Sequence, residues 1–474
     1  MRQLQTLLAI GLILVLAIGA SQVLLNYRPM LVVLGVVGVA LAGLSVIHPV
    51  LGLMALLLAM LLSPEVAIGR TGERAISIGG ADVLIVLVVI GWIVHQATQR
   101  EGMLLRSTPV SLPVYLMIGV IVLATLIGIL MGTVSPLRGF FFASKRIEYF
   151  LIFFMVTTLL RGWEDVRIAL ILFVIACAGI NIGAIIQEVF FPEASGVTST
   201  FGYGRANTLG GFYVMALSMT IGLMTYVRRR WVRSLLMVQF VLTILCLAFT
   251  HSRGAYVSVP FAVGTLMFVD RSKRLFEVSG LVVLALAALL LGAWMLLGGE
   301  DSFFLARQKR IMAGQFGSIA DVATQGAEVD PSLHSRLRAW RQSVDQILRY
   351  PFLGQGVGAK KLGWADNHYV RELLETGVIG LVVFLWMNFQ IFLAVLHLHH
   401  SSEGIVRGAA VGFLGGQVGL LAHAMTCSNF YTIRTMEPFW YLLGLLMAVA
   451  IAAENRPPFT AVAQVEDAPQ AATT

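Results

Sequence analysis

Charge is what this sequence has least of. Asp, Glu, Lys and Arg make up 12% of its 474 residues and hydrophobic residues 58%, whereas a soluble domain carries about a quarter charged residues. That composition excludes an ordinary water-soluble globular protein. Alternation of apolar and polar residues with period two is also missing, which argues against a transmembrane barrel. Cysteine is down to Cys177, Cys246 and Cys427. None has a CxxC partner or a nearby ligand cluster, so neither a disulfide framework nor a metal site is indicated, and no cofactor is called for.

What is abundant is apolar runs close to the roughly 20 residues that cross a bilayer as helix. They fall near 4–25, 29–47, 49–68, 81–98, 110–134, 147–160, 166–190, 207–227, 233–250, 254–269, 278–298, 366–397, 404–427 and 433–453. The expected fold is all-α: a polytopic transmembrane bundle of about 12–14 helices, the first three runs and the fifth-to-sixth boundary leaving the count open. The opening "MRQLQTLLAIGLILVLAIGASQ" mimics a secretory signal. Because an equally long apolar run follows at once, it reads as an uncleaved first helix.

The densest basic stretches in short connections are "RRRWVR" (Arg228 to Arg233) and "DRSKR" (Asp270 to Arg274), which the positive-inside rule assigns to the cytoplasm. Counting helices outward puts both termini in the cytoplasm. "VTSTFGYGRAN", "HSRG", the long segment 299–365 and "CSNFYTIRT" then face the other side. The domain reading follows: helices over 1–298, a large periplasmic loop with amphipathic helices over 299–365, helices over 366–453, and a Pro/Ala-rich disordered tail over 454–474.

On this topology more of the 33 Lys and Arg lie on the far side than in the cytoplasm. Arg138, Lys145, Arg146, Arg205, Arg253 and Arg434 do so in short loops or at helix ends, where the rule should act. Taken singly, each is explained by snorkelling to headgroups or by a helix C-terminus. As a set they point to a cavity that receives an anion. The loop adds "DPSLHSRLRAWRQSVDQILRYPFLGQGVG". Asp330 and Pro331 open a helix in the favoured order, with Leu333, Leu337, Trp340, Val344, Ile347 and Leu348 as its apolar stripe and Arg336, Arg338 and Arg341 along the edges. "PFLGQGVGA" reads as turn chemistry; no strand precedes it, so it is not a nucleotide loop. In "WADNHYVRELLETGVIG", His368, Arg371, Glu372 and Glu375 fall within about one 100° sector of the next helix. That stripe cannot face lipid, although Arg371 and Glu375, four apart, would neutralise each other.

In this order the motifs resemble the O-antigen ligase and O-antigen polymerase superfamily of bacterial inner-membrane glycosyltransferases. "TSTFGYGRANTLGGFY" resembles its segment entering a central helix. "HSRGAY" is similar to its Ser-Arg-Gly signature, here at 252–254, and "SRLRAW" with "YPFLGQGVG" to its Arg-x-x-x-Trp helix and Pro-x-x-Gly-x-Gly. "DNHYVRELLETGVIG" is similar to its His-Asn-x-Tyr segment ending in Glu-x-Gly. The resemblance implies metal-independent transfer, in the periplasm, of a glycan carried on a polyprenyl diphosphate to a sugar hydroxyl. It assigns the donor's diphosphate to Arg253 and Arg336. Arg205, Arg146 and Lys145 are further candidates, and Asn367, Arg338 and Glu375 supporting ones. With no divalent ion, guanidinium groups would meet the leaving charge, since they pair bidentately with phosphate oxygens.

One position departs from that pattern. Aligning Glu375-Thr376-Gly377 with Glu-x-Gly places Asp366 where the usual His stands, with His368 two residues later. Either could serve as the catalytic base; register favours Asp366, and His368 is kept second. The implied partners are a lipid-linked glycan donor, a glycan or lipid-core acceptor, membrane lipids and a chain-length regulator, with no nucleic acid. Beside an O-antigen or exopolysaccharide polymerase stand the ligase to lipid A core and, from another class, a transporter or flippase for an anionic lipid-linked sugar. A repeat with matching broken helices would favour transport; none is evident.

Overall fold

The computed structural model describes residues 43–63, 65–71, 74–99, 105–190, 206–278, 280, 331–359 and 366–454. The helix expected at 4–25, most of those at 29–47 and 278–298, Arg205, the loop at 299–330 and 360–365, and the tail from 455 lie outside these residues. The fold is an all-α bundle. Its helices are α1 (Pro49–Leu62), α2 (Gly80–Gln99), α3 (Ser111–Leu130), α4 (Pro136–Leu159), α5 (Trp163–Phe190) and α6 (Ala206–Tyr226). They continue as α7 (Arg230–Phe249), α8 (Arg253–Val269), α9 (Pro331–Arg349), α10 (His368–Ser401), α11 (Gly404–His423) and α12 (Ile433–Glu454). Among the described residues, eight helices are long and apolar enough to cross a membrane, so this is a multi-pass membrane protein.

Two boundaries differ from expectation. The run at 49–68 stays helical only to Leu62: Ser63 is extended (φ −74°, ψ 142°), as a residue before proline is forced to be. A short antiparallel hairpin follows, strand β1 (Glu65–Thr71) pairing with β2 (Arg74–Gly79). The sixth helix starts at Pro136, not 147, with proline in its first turn, where the missing N–H costs nothing. Charge had suggested that Lys145 and Arg146 precede the helix; both lie within it.

The centre of the bundle is built on glycine. α11 carries Gly408, Gly412 and Gly416 at four-residue spacing, and this edge lies on α6. A Cβ on Gly222 would stand 2.2 Å from the Gly408 carbonyl oxygen and 2.7 Å from the Gly412 nitrogen. Gly415 and Gly419 lie toward α8, where a Cβ on Gly415 would come 3.0 Å from the Ala262 carbonyl. Small residues matter here because lipid gives apolar helices little reason to associate, so close backbone approach has to hold them. At the basic-loop end, Asp270 ties α6, α8 and α11 together. It accepts hydrogen bonds from the Tyr226 hydroxyl and, at 3.0 Å, the Ser272 backbone, with the Arg407 guanidinium 4.0 Å away. The opposite ends of these helices converge on the polar residues described next.

Candidate functional site

The N-terminal part of α10 is not a continuous helix. Gly377 breaks it (φ 67°, ψ −167°), a conformation open essentially to glycine alone. The break would leave backbone groups unsatisfied, which is costly where water is absent. The turn after α9 supplies their partners. The Gln355 and Gly356 N–H groups donate to the Leu374 and Glu375 carbonyls at 2.8 and 3.0 Å, while the Val378 and Ile379 N–H groups donate to the Pro351 and Phe352 carbonyls at 2.8 and 3.2 Å. Thus "PFLGQGVG" and "LLETGVIG" interlock through their main chains. Gly354, Gly356 and Gly358 all have positive φ, and a Cβ on Gly354 would stand 2.5 Å from the Glu375 carbonyl carbon.

The interlock fixes a buried cluster of charge. Arg146 of α4 donates through one Nη2 to both Glu372 oxygens at 3.0 and 2.9 Å, and its Nη1 lies 3.9 Å from Glu375. The Thr376 hydroxyl donates to Glu372 at 2.8 Å and Arg371 Nε to Glu375 at 3.3 Å. The Tyr431 hydroxyl donates to Glu375 at 2.7 Å and Glu372 at 3.2 Å. Burial pushes that hydroxyl well above its ordinary pKa, so it stays protonated and remains a donor. The guanidinium carbons of Arg371 and Arg146 lie 3.7 and 4.5 Å from the centroid of the Tyr431 ring. Two carboxylates and two guanidiniums balance in charge, as groups so deeply buried must.

His368 sits at the edge of this cluster, fully buried. Its ring is surrounded by Phe384, Phe430 and Tyr431, with centroids 4.8, 5.1 and 5.1 Å away. Among the described residues neither ring nitrogen has a hydrogen-bond partner; Nε2 is 3.8 Å from Glu372. Asn367 is the cap of α10, accepting from the Tyr369 and Val370 N–H groups at 2.9 and 3.2 Å. Asp366 therefore precedes the helix, and it is half-buried.

The Ser-Arg-Gly signature is explained locally. Ser252 caps α8 by accepting from the Ala255 N–H at 3.3 Å, and half-buried Arg253 is the first helical residue. At Gly254 a Cβ would stand 2.1 Å from Thr426 Oγ1, so the connection between α11 and α12 passes directly against it. That same connection carries Ala424, whose carbonyl accepts from the His368 N–H at 2.8 Å, and Tyr431. Arg253 and the top of α10 thus flank one short segment. Arg336 lies on α9; Arg338, one half-turn later, is exposed. Val344 and Leu348 of the apolar stripe are also exposed, which suits a helix lying in the headgroup layer.

Lys145 faces another way. Its ammonium pairs with Asp82 of α2 and, at 2.9 Å, with Glu148. Carboxylate oxygens of Asp82, Glu148 and Glu437 lie within 4.8 Å of one another, a spacing that could hold a metal ion; the ammonium of Lys145 already supplies a cation to two of them. The sequence reading passed over Tyr431 and gave Glu372 and Arg371 no role in a site. The signal for the last two was the polar stripe; for Tyr431, in "CSNFYTIRT", there was none.

An α-helical bundle with a charged, mutually paired cluster buried at one membrane end defines the class: a polytopic membrane protein with a polar site beneath an extramembrane helix. Residues 238–385 match the sequence model of the O-antigen ligase family. That segment, which includes Arg253, Arg336, Asp366 and Glu375, is similar in sequence to O-antigen ligases. No curated protein matches the chain.

Proposed function

We propose that the protein is a glycosyltransferase of the bacterial inner membrane that polymerises or ligates oligosaccharides carried on polyprenyl diphosphate, at the periplasmic face. The observation that carries this reading is the interlock at Gly377. It ties the end of α9, the helix bearing Arg336 and Arg338, to the break in α10, whose first residue, His368, hydrogen-bonds the α11–α12 connection that packs against Gly254, next to Arg253. In the proposed step the Asp366 carboxylate takes the proton of an acceptor hydroxyl. The hydroxyl oxygen attacks the anomeric carbon, the bond from that carbon to the diphosphate oxygen breaks, and polyprenyl diphosphate leaves with the bonding electron pair. Guanidiniums of Arg253 and Arg336 receive the charge developing on the leaving oxygen, stabilising it where it forms. The full burial of His368 supports Asp366 as the base, because an acceptor hydroxyl must come within hydrogen-bond reach of it.

The description of the matching family as O-antigen ligase favours, as second reading, transfer of finished chains to lipid A core. Deleting the gene and resolving surface glycans on a gel separates the two. Loss of the ladder with single repeat units retained identifies a polymerase; accumulation of long lipid-linked chains identifies a ligase. Translocation of a lipid-linked sugar without any new glycosidic bond would replace both readings with transport.

A further inference from the structure

Building on the reading that the donor is a polyprenyl diphosphate, we propose that Arg371 provides a further guanidinium for its phosphate oxygens, and that Tyr431 is the positioning residue that holds Arg371 ready. Arg371 lies on the first turn of α10, five residues after Asp366. Its side chain is fixed at two points, by Nε on Glu375 at 3.3 Å and by the Tyr431 ring 3.7 Å from its guanidinium carbon. Tyr431 is itself fixed by its hydroxyl on Glu375 and Glu372. Both constraints leave the Nη1/Nη2 end alone. Among the described residues that end has no protein acceptor, and the side chain is 14% exposed while Glu372 and Glu375 are 0% exposed.

The contrast with Arg146 gives the argument its direction. Arg146 bonds both Glu372 oxygens through Nη2 and its side chain is 8% exposed; Arg371 bonds Glu375 through Nε alone, and its side chain is the more exposed of the two at 14%. A guanidinium stacked on an aromatic ring and tethered at Nε has little rotamer freedom left to lose, so binding a phosphate costs less ordering than a mobile arginine would. The cluster beneath is balanced in charge, so attraction comes from two directed N–H groups more than from a net field. That selects a planar pair of oxygens, as phosphate offers. Arg371 stacks on Tyr431 of the α11–α12 connection, and Thr426 of the same connection packs against Gly254, the residue after Arg253.

The test measures binding without transfer, using farnesyl diphosphate and farnesol as probes on purified, monodisperse full-length protein. Arg371→Gln should weaken farnesyl diphosphate by about tenfold or more, the loss expected for hydrogen bonds to a charged group, and leave farnesol unchanged. Arg371→Lys should lose nearly as much. Tyr431→Phe, which keeps the ring, should retain most of the affinity, whereas Tyr431→Leu should resemble Arg371→Lys, and adding it to Arg371→Gln should cost nothing more. Unchanged farnesyl diphosphate affinity in folded Arg371→Gln overturns the proposal. So does an equal loss for farnesol, which would mark a general disturbance. Whether the wild type transfers glycan is read separately with a lipid-linked oligosaccharide, so failure of the enzymatic reading is distinguishable from failure at Arg371.

Discussion

Replacing Arg146 with Met removes a group that bonds both oxygens of Glu372, at 3.0 and 2.9 Å, and leaves two fully buried carboxylates beside the one other guanidinium of the cluster. Breaking a buried pair from one side costs about 3–5 kcal/mol, because the abandoned charge stays desolvated. Glu372→Gln abandons Arg146 instead; Glu375, 3.9 Å from its Nη1, compensates only in part, so this cost should lie toward about 3 kcal/mol. The double variant Arg146→Met/Glu372→Gln contains no orphaned charge. It should be more stable than either single variant, with a coupling energy of about 1–3 kcal/mol. Reversible unfolding in mixed micelles, followed by tryptophan fluorescence, measures all four proteins. If the two single losses simply add in the double variant, or if Arg146→Met costs less than about 1 kcal/mol, a value usual for an exposed pair, the cluster is not the closed electrostatic unit described above.

Three further outcomes follow from other contacts. Gly222→Val should lower the yield of folded protein sharply, since its Cβ would overlap the Gly408 carbonyl and the Gly412 nitrogen; Gly264→Ala, with nothing within 4 Å, should be close to neutral and serves as control. Gly377→Ala should cost about 1–3 kcal/mol in backbone strain besides the 2.2 Å approach to the Phe352 carbonyl, and should reduce transfer more than it reduces protein level, because it disturbs the seat of α9. Transfer should survive EDTA, since guanidiniums are proposed to meet the leaving charge; activity that returns only with added divalent ion would reverse that assignment.

How far the sequence reveals this arrangement depends on the range of each interaction. The polar stripe His368, Arg371, Glu372 and Glu375 is legible because helical spacing is local; His368, Glu372 and Glu375 are buried and Arg371 half-buried at its edge. Its partners are not: Arg146 stands 226 residues from Glu372 and Lys145 63 residues from Asp82, so each basic residue read alone looks like an anion ligand. The glycines of "PFLGQGVG" announce a turn. That the turn exists to satisfy a broken helix becomes visible only when Gly377 takes its left-handed conformation. The hairpin after Ser63 went unread because its strands, EVAIGRT and RAISIG, are short and carry no sustained apolar–polar alternation, while the proline that ends α1 was there to be used. That Asn367 caps α10, by accepting from the Tyr369 and Val370 N–H groups, shows only in the structure.

The most direct measurement is glycan transfer by the purified protein from a polyprenyl-diphosphate-linked oligosaccharide, comparing wild type with Asp366→Asn, His368→Gln and Arg253→Lys. The account predicts a new glycosidic product from wild type, none from Asp366→Asn although it still binds donor, a milder loss in His368→Gln, and a steep loss in Arg253→Lys despite the retained charge. Undiminished transfer by Asp366→Asn, with His368→Gln inactive, would make His368 the base, and full activity in all three variants would place the chemistry elsewhere in the molecule.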